Sequence, residues 1–323
     1  MRSTLTLPAH LFVLALLVSP ETSAAQGLPA FAPLNPVASS RSGVYFQPLS
    51  DQAGRGWRTH VAMDYASLIE VNDLDDADYV LDSEILRVSF GAARNLSTRT
   101  FVQLSGSVGG SYSGFLDGFL DWYHGALGIR VSEREERPQD RFGYDITLPS
   151  GRSVSRSSNA MFLGDLSVAL GFRHTERLQS VVSVTLPTAT GPAGYGKGVP
   201  SVSLLNTLRT PVSPRLLFEG SVGIGVTPSQ GTLANFQRTT FLAISSGLRH
   251  RLWDSQALYA NLFYHSPYYH GTSLPALDRR ELSLDFGWIL TTKGGAEWRM
   301  GLTEDLEPGG PGIDLVFRVG RSF

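Results

Sequence analysis

Glu281-Leu282-Ser283-Leu284-Asp285-Phe286-Gly287-Trp288-Ile289-Leu290 decides the fold. Leu282, Leu284, Phe286, Trp288 and Leu290 fall on one parity, and Glu281, Ser283, Asp285 and Gly287 fall on the other. A period of two marks a strand with one apolar face. A soluble β-sandwich alternates too, but it turns a face rich in Lys, Glu and Thr toward water. Here the polar parity carries Gly and Ser with occasional charges, which suits a crowded, hydrated lumen. The opposite parity carries large apolar residues suited to acyl chains.

The same pattern extends outward along the chain. Phe218, Val222, Ile224 and Val226 oppose Glu219, Ser221, Gly223 and Gly225. Leu86, Val88 and Phe90 oppose Ile85, Arg87, Ser89 and Gly91, and Val102, Leu104 and Val108 oppose Gln103, Ser105 and Ser107. Trp57 to Tyr65 alternates in the same way. Strands are expected at 57–65, 80–92, 98–110, 162–173, 178–187, 200–209, 215–226, 239–250, 256–265, 280–290, 296–304 and 312–323. Short links (93–97, 174–177, 210–214, 251–255, 291–295) alternate with longer ones (66–79, 111–161, 188–199, 227–238, 266–279, 305–311). Outer-membrane barrels join their strands this way, with short periplasmic turns and longer external loops. The fold class expected is therefore all-β: a closed antiparallel transmembrane β-barrel of about twelve strands over residues 57–323. Ten or fourteen strands follow if Val44 to Pro48 or Phe142 to Leu148 also pairs.

Arg2, the apolar run Leu11 to Val18 and the small residues Ser23-Ala24-Ala25 read as a secretory signal peptide over 1–25. The run is far shorter than the ~20 residues of a membrane-spanning helix. Residues 26–56 are then an N-terminal segment that stays periplasmic or enters the lumen, and the expected location is the bacterial outer membrane. Of the 323 residues 17% are charged, below the ~25% usual for soluble domains. The absence of cysteine excludes disulfides, thiolate metal sites and cysteine nucleophiles. A net charge of −2 argues against a nucleic-acid partner, since no cationic excess can displace phosphate counterions. No cofactor or metal is implied, and the strand number favours a monomer.

The chain ends on Ile313, Leu315, Phe317, Val319 and Phe323, all of one parity. Phe317, Val319 and the terminal Phe323 form the signal expected for the barrel-assembly machinery, a partner during biogenesis. Lipid and lipopolysaccharide are the other partners expected. Trp57, Tyr65, Trp253, Tyr264 and Trp298 lie near strand ends, where aromatic girdles or ordinary packing would place them.

Charges on the polar parity are Arg58, His60, Asp64, Arg87, Asp165, Arg173, Glu219, Glu281, Asp285, Glu297, Arg299, Asp314 and Arg318. Facing the lumen, they line an aqueous path or pair and close it. Pairing is favoured, and the mixed signs argue against strong ion selectivity. The longest link holds Gly114-Phe115-Leu116-Asp117-Gly118-Phe119-Leu120-Asp121-Trp122-Tyr123-His124, a short amphipathic helix with Asp117, Asp121 and His124 on one face. It reads as a lid or plug in the barrel mouth, as an interfacial helix, or as a catalytic pair made of Asp121 and His124. Glu133 to Arg137 reads as solvated loop, and the Gly-rich stretch 191–198 lacks the following helix that a phosphate cradle needs. His60, His124, His250, His265 and His270 belong to no Gly-x-Ser-x-Gly or His-Glu-x-x-His motif.

Asp117-Gly118-Phe119 with Trp122 and His124, Leu186-Pro187-Thr188 before the Gly-rich loop, Glu304-Asp305 and the closing strand to Phe323 resemble a family of bacterial outer-membrane proteins catalogued as a domain of unknown function. Ala189 stands where such sequences often have Gly. The resemblance implies location and a porin-like barrel, and it brings no substrate or catalytic residue. Three functions remain open: a small porin-like channel for solutes, gated by the 111–161 loop; an outer-membrane enzyme acting on lipid or envelope polymer; and a closed structural or adhesion barrel.

Overall fold

A computed structural model describes residues 28, 31–42, 56–74, 77–128, 138–191, 194–307, 309–313 and 315–322. The signal-peptide reading, Val44 to Pro48, Asp314 and Phe323 lie outside the described residues. The strands are β1 (Trp57–Leu74), β2 (Ala77–Asn95), β3 (Thr100–Tyr112), β4 (Gly143–Thr147), β5 (Ser153–Ser155), β6 (Asn159–Leu163) and β7 (Leu166–Arg173), then β8 (Leu178–Leu186), β9 (Ser201–Ser213), β10 (Leu216–Val226), β11 (Thr240–Trp253) and β12 (Gln256–His265), and finally β13 (Glu281–Thr291), β14 (Glu297–Asp305) and β15 (Leu315–Ser322). All pairings are antiparallel; apart from β4, which pairs on β2, and β6 and β7, which both pair on β3, they join sequence neighbours, and β15 returns to pair with β1 from Ser67↔Leu315 to His60↔Ser322. With β6 and β7 forming one stave, the barrel has twelve staves and no free edge, as a sheet in hydrocarbon must.

Strand β7 shows why the wall faces lipid. Leu166, Val168 and Leu170 are 44%, 44% and 56% exposed, whereas the alternate Ser167 and Ala169 are 7% and 9% exposed. Strands β11 and β12 repeat this inversion. Such a continuous apolar exterior over a polar interior matches acyl chains outside. No helix among the described residues is long and apolar enough to cross a membrane.

Two boundaries depart from the sequence reading. Residues 66–79 are not a long link, because β1 and β2 continue in register to Leu74↔Ala77, well past the other strands. Phe142 to Leu148 does pair, but on the outer part of β2 (Asp78–Asp82), beyond the point where β3 leaves it. It forms an external hairpin with β5 and adds no stave. Between β6 and β7 the stave carries one residue more than β3 opposite, a bulge at Gly164-Asp165. There Asp165 accepts the backbone N–H groups of Ala189 (3.0 Å) and Lys197 (2.7 Å), which pins the following loop over the mouth.

Three short α-helices, α1 (Pro36–Ser39), α2 (Asp117–Leu127) and α3 (Pro275–Asp278), and a 3-10 turn at Ala234–Phe236 complete the described fold. The long-loop end holds the largest apolar cluster, in which Tyr79, Leu81, Tyr144, Ile146, Tyr268, Leu274 and Leu277 meet Leu34, Val37 and Ala38 of the N-terminal segment.

Candidate functional site

The candidate site is the barrel interior, and its main occupant is the chain's own N-terminal segment. At the short-turn end Leu28 packs with Ala257, Tyr259 and Ile289. Its carbonyl lies 3.5 Å from Arg299 Nη1, and its backbone hydrogen-bonds Glu219. Midway, Phe31 sits among Phe101, Ala169, Val181, Leu205, Phe241 and Phe263, with its ring 4.5 Å from that of Phe263. Arg318 lies 5.2 Å over the same ring. Arg87 donates to the carbonyls of Ala32 (2.8 Å) and Pro33 (2.7 Å). At the long-loop end Arg41 donates to the carbonyls of Thr227 (2.6 Å), Pro228 (2.9 Å) and Arg238 (3.0 Å), and the Thr227 hydroxyl donates back to the Arg41 carbonyl. Leu28 and residues 31–42 thus lie along the barrel interior from one end to the other.

The sequence suits this path. Pro33 and Pro36 carry no backbone N–H to satisfy inside, and each restricts its predecessor to extended backbone. Asn35 then caps α1 by accepting the Val37 N–H at 2.9 Å.

Of the charged residues of the polar parity, Arg87, Glu219, Arg299 and Arg318 contact this segment directly. Asp64 accepts Arg318 Nε at 2.6 Å and Arg87 Nη2 at 2.9 Å, and Asp285 accepts Arg318 Nη1 at 3.0 Å and the Thr303 hydroxyl at 2.9 Å. Glu297 pairs with Arg299 at 3.0 Å and with Arg249 at 2.8 Å. Arg249 stands on β11 and Glu297 on β14, so that contact runs through the interior. Glu219 pairs with Arg209 at 2.8 Å. Arg173, buried near a short turn, donates to Asn95 Oδ1 at 2.6 Å and lies over Phe101. Glu281 accepts the Tyr268 hydroxyl at 2.5 Å in the roof, where burial and that carboxylate raise the Tyr268 pKa well above its usual value. Burial likewise raises the Tyr144 and Tyr269 hydroxyls. His60 faces Gly91 across the β1–β2 pair, where a Cβ would collide with the imidazole. Gly171 seats the Phe101 ring in the same way. Arg58 is half-buried beside the same turn end of β1.

A cavity of about 70 Å³ lies between Phe31 and the wall of β1, β2, β3 and β7, where His60, Arg87, Ser89, Ser105, Ser107 and Ser167 line it. The sequence reading did not single out Phe31, Arg41, Arg209 or Arg249. Phe31 and Arg41 lie in a segment with no periodicity, and Arg209 and Arg249 sit at the ends of their strands' alternation.

The long-loop residues lie elsewhere. Helix α2 packs on the outer face of the wall, with the Phe119 ring 6.1 Å from that of Phe317, so it is not a plug in the barrel mouth. Asp121 is exposed there and accepts Gln139 Nε2 at 2.6 Å, while the His124 side chain lies outside the described residues. His265 is buried, stacked on Tyr268 at 4.1 Å and bonded to the Ser266 carbonyl, which is a packing role in the roof.

A closed twelve-stave barrel with a lipid-compatible exterior and a polar, occupied interior has the fold of the outer-membrane β-barrels. Within it, the chain belongs to the family described as "Protein of unknown function (DUF3187)", whose model matches residues 5–320. No curated protein matches the chain by sequence. Among solved structures the chain is similar to an outer membrane channel of the COG4313 group from Pseudomonas putida F1, with a TM-score of 0.52, 12% identity, and coverage of 86% of this chain and 100% of that one. A NanC porin gives 0.45 at 6% identity, covering 83% and 99%, and the P. putida toluene transporter TodX gives 0.41 at 9% identity, covering 93% and 97%.

Proposed function

We propose that this protein is an outer-membrane solute channel whose lumen is closed, in the state described, by its own N-terminal segment. The observation that carries this reading is what fills the barrel. Eight strands already suffice for wall side chains to fill an interior, so twelve leave room that they cannot fill. Leu28 and residues 31–42 occupy that room, held by hydrogen bonds from arginines and by one aromatic cluster. A filling that is not part of the wall can leave without breaking a single wall hydrogen bond. The gate is thus assigned to the N-terminal segment, not to the 111–161 loop. The cavity beside Phe31 is lined by hydroxyls and by charges of both signs, which favours small, uncharged polar solutes and weak ion selectivity.

The ion pairs and the apolar roof favour a second reading, a permanently closed structural barrel. One experiment separates the two. The chain lacking residues 1–25 and a variant also lacking 26–42 are refolded, shown by heat-modifiable gel mobility to be folded, and placed in planar bilayers. The intact chain should give small or rare openings. The shortened chain should give stable steps that scale with salt, with weak preference between cations and anions. A folded but silent shortened barrel overturns the channel reading in favour of the closed one.

A further inference from the structure

Helix α2 lies across the seam where the barrel closes. On the outer face of that seam Tyr65 of β1 stands opposite Phe317 of β15. Glu84 shares the outward parity of Leu86 and Val88, yet it is 1% exposed because residues 113–116 fold over it. Its carboxylate accepts the Phe115 N–H at 2.7 Å, the Leu116 N–H and the Tyr65 hydroxyl, so one buried acid fastens the loop to the wall. From there the Phe115 ring lies 5.7 Å from Tyr65, Phe119 packs on Phe317, and the Tyr123 hydroxyl hydrogen-bonds Glu304 of β14. Leu120 is buried beneath the helix. Asp117 and Asp121 turn to the other flank, bonded to the Asp140 N–H and to Gln139. What the helix leaves uncovered is an aromatic edge: Phe115, Phe119 and Trp122 are 71%, 42% and 66% exposed.

Two features identify what covers that edge. It is continuous, through Phe317, with the apolar outer row of β15, so the solvent of the wall is also the solvent of the helix. Its height also matches the membrane boundary, since a tilted strand crosses the hydrocarbon in about 9–11 residues. Counted from Trp57, Tyr65 reaches that length, and β1 continues beyond it into the external region. An amphipathic helix at this level lies in the interface plane with its apolar side among the acyl chains. We infer that α2 is a membrane-interface clasp over the closing seam, with Phe115, Phe119 and Trp122 inserted among the lipids of the outer leaflet. This rests on the outer-membrane barrel reading, and not on the channel reading.

The absence of cysteine makes the test clean. Single nitroxide labels are placed by W122C and F115C, by V182C on the lipid-facing wall of β8, and by S150C at the exposed tip of the β4–β5 hairpin. Each labelled full-length barrel is reconstituted in phosphatidylcholine vesicles, and collision with oxygen is compared with collision with a water-soluble nickel chelate. Positions 115, 122 and 182 should favour oxygen several-fold over nickel, and position 150 should show the reverse. Nickel-accessible labels at both 115 and 122, with 182 still in lipid, overturn the clasp alone. A nickel-accessible label at 182 overturns the barrel reading and the clasp with it.

Discussion

The two sides of the barrel interior hold the threaded segment by different physics. Along β13, β14, β15, β1 and β2 the interior is ionic: Asp64, Asp285 and Glu297 meet Arg318, Arg87 and Arg299, and each of these arginines also touches the segment, at Phe31, at Ala32 and Pro33, and at Leu28. Along β7 to β10 the middle of the wall is neutral. Ser167 bonds Thr185 at 2.8 Å, Ser183 bonds Ser203 at 2.6 Å, and Thr207 bonds Ser221 at 2.8 Å, a ladder of hydroxyl pairs that satisfy one another across neighbouring strands. The middle of that side meets the segment through Phe31 against Ala169, Val181 and Leu205, and its polar contacts lie at the two ends, where Glu219 bonds the Leu28 backbone and Thr227 meets Arg41. Midway along the barrel, one wall positions the segment through charged groups and the other offers it an apolar surface around Phe31. Hydrogen bonds to charged groups are also worth more than neutral ones, about 1.5–3 kcal/mol against 0.5–1.5.

The contrast is broken most severely at Asp64. Its carboxylate is the single acceptor shared by Arg87 and Arg318, and it is buried. Asp64→Ala leaves two guanidinium groups inside without that partner, and removing one member of a buried pair costs about 3–5 kcal/mol. The urea midpoint for unfolding from lipid vesicles should fall accordingly, with the slope unchanged. A midpoint equal to that of the parent would mean that water already solvates this wall. A charge on the outside of the neutral wall should cost somewhat less. Val182 is exposed at the centre of β8, and Val182→Arg places a cation near the bilayer midplane at about 2–4 kcal/mol. The same titration in detergent should shrink the effect, because a micelle deforms around the charge more readily than a bilayer does.

Much of this architecture was legible in the sequence because a membrane barrel writes its solvent into every strand. Leu166, Val168 and Leu170 could be placed outside from parity alone, and link lengths counted the staves. Legibility ended where the solvent stopped being one-sided. At Leu68 and Ile69 consecutive residues are both buried, as the strand leaves the membrane and is covered on both faces, so the period vanishes and β1 reads as loop. The interior partners were beyond reach for another reason: Asp64 and Arg318 lie 254 residues apart, and only barrel closure brings them together. Phe31 and Arg41 gave no signal at all, since a threaded segment is neither helix nor strand over most of its length. Glu84 was invisible as an anchor because its parity marked it as lipid-facing, and only the folded-back loop explains a carboxylate there.

The smallest effect is expected on the hydroxyl ladder, and it is the one that sharpens the contrast most. Ser183→Ala removes one member of a pair whose other member, Ser203, borders the hydrated interior of a neutral wall. A neutral hydrogen bond contributes about 0.5–1.5 kcal/mol, and water can replace the lost partner, so the unfolding midpoint should move by the low end of that range or less. Because the Ser183 hydroxyl bonds its wall neighbour Ser203, channel opening should be unchanged as well. Arg87→Met tests the opposite wall by the same readout: it frees the carbonyls of Ala32 and Pro33 and should raise the frequency of openings. If Ser183→Ala opened the channel as much as Arg87→Met, the neutral wall would be holding the segment too, and the division of labour between the two sides would be wrong.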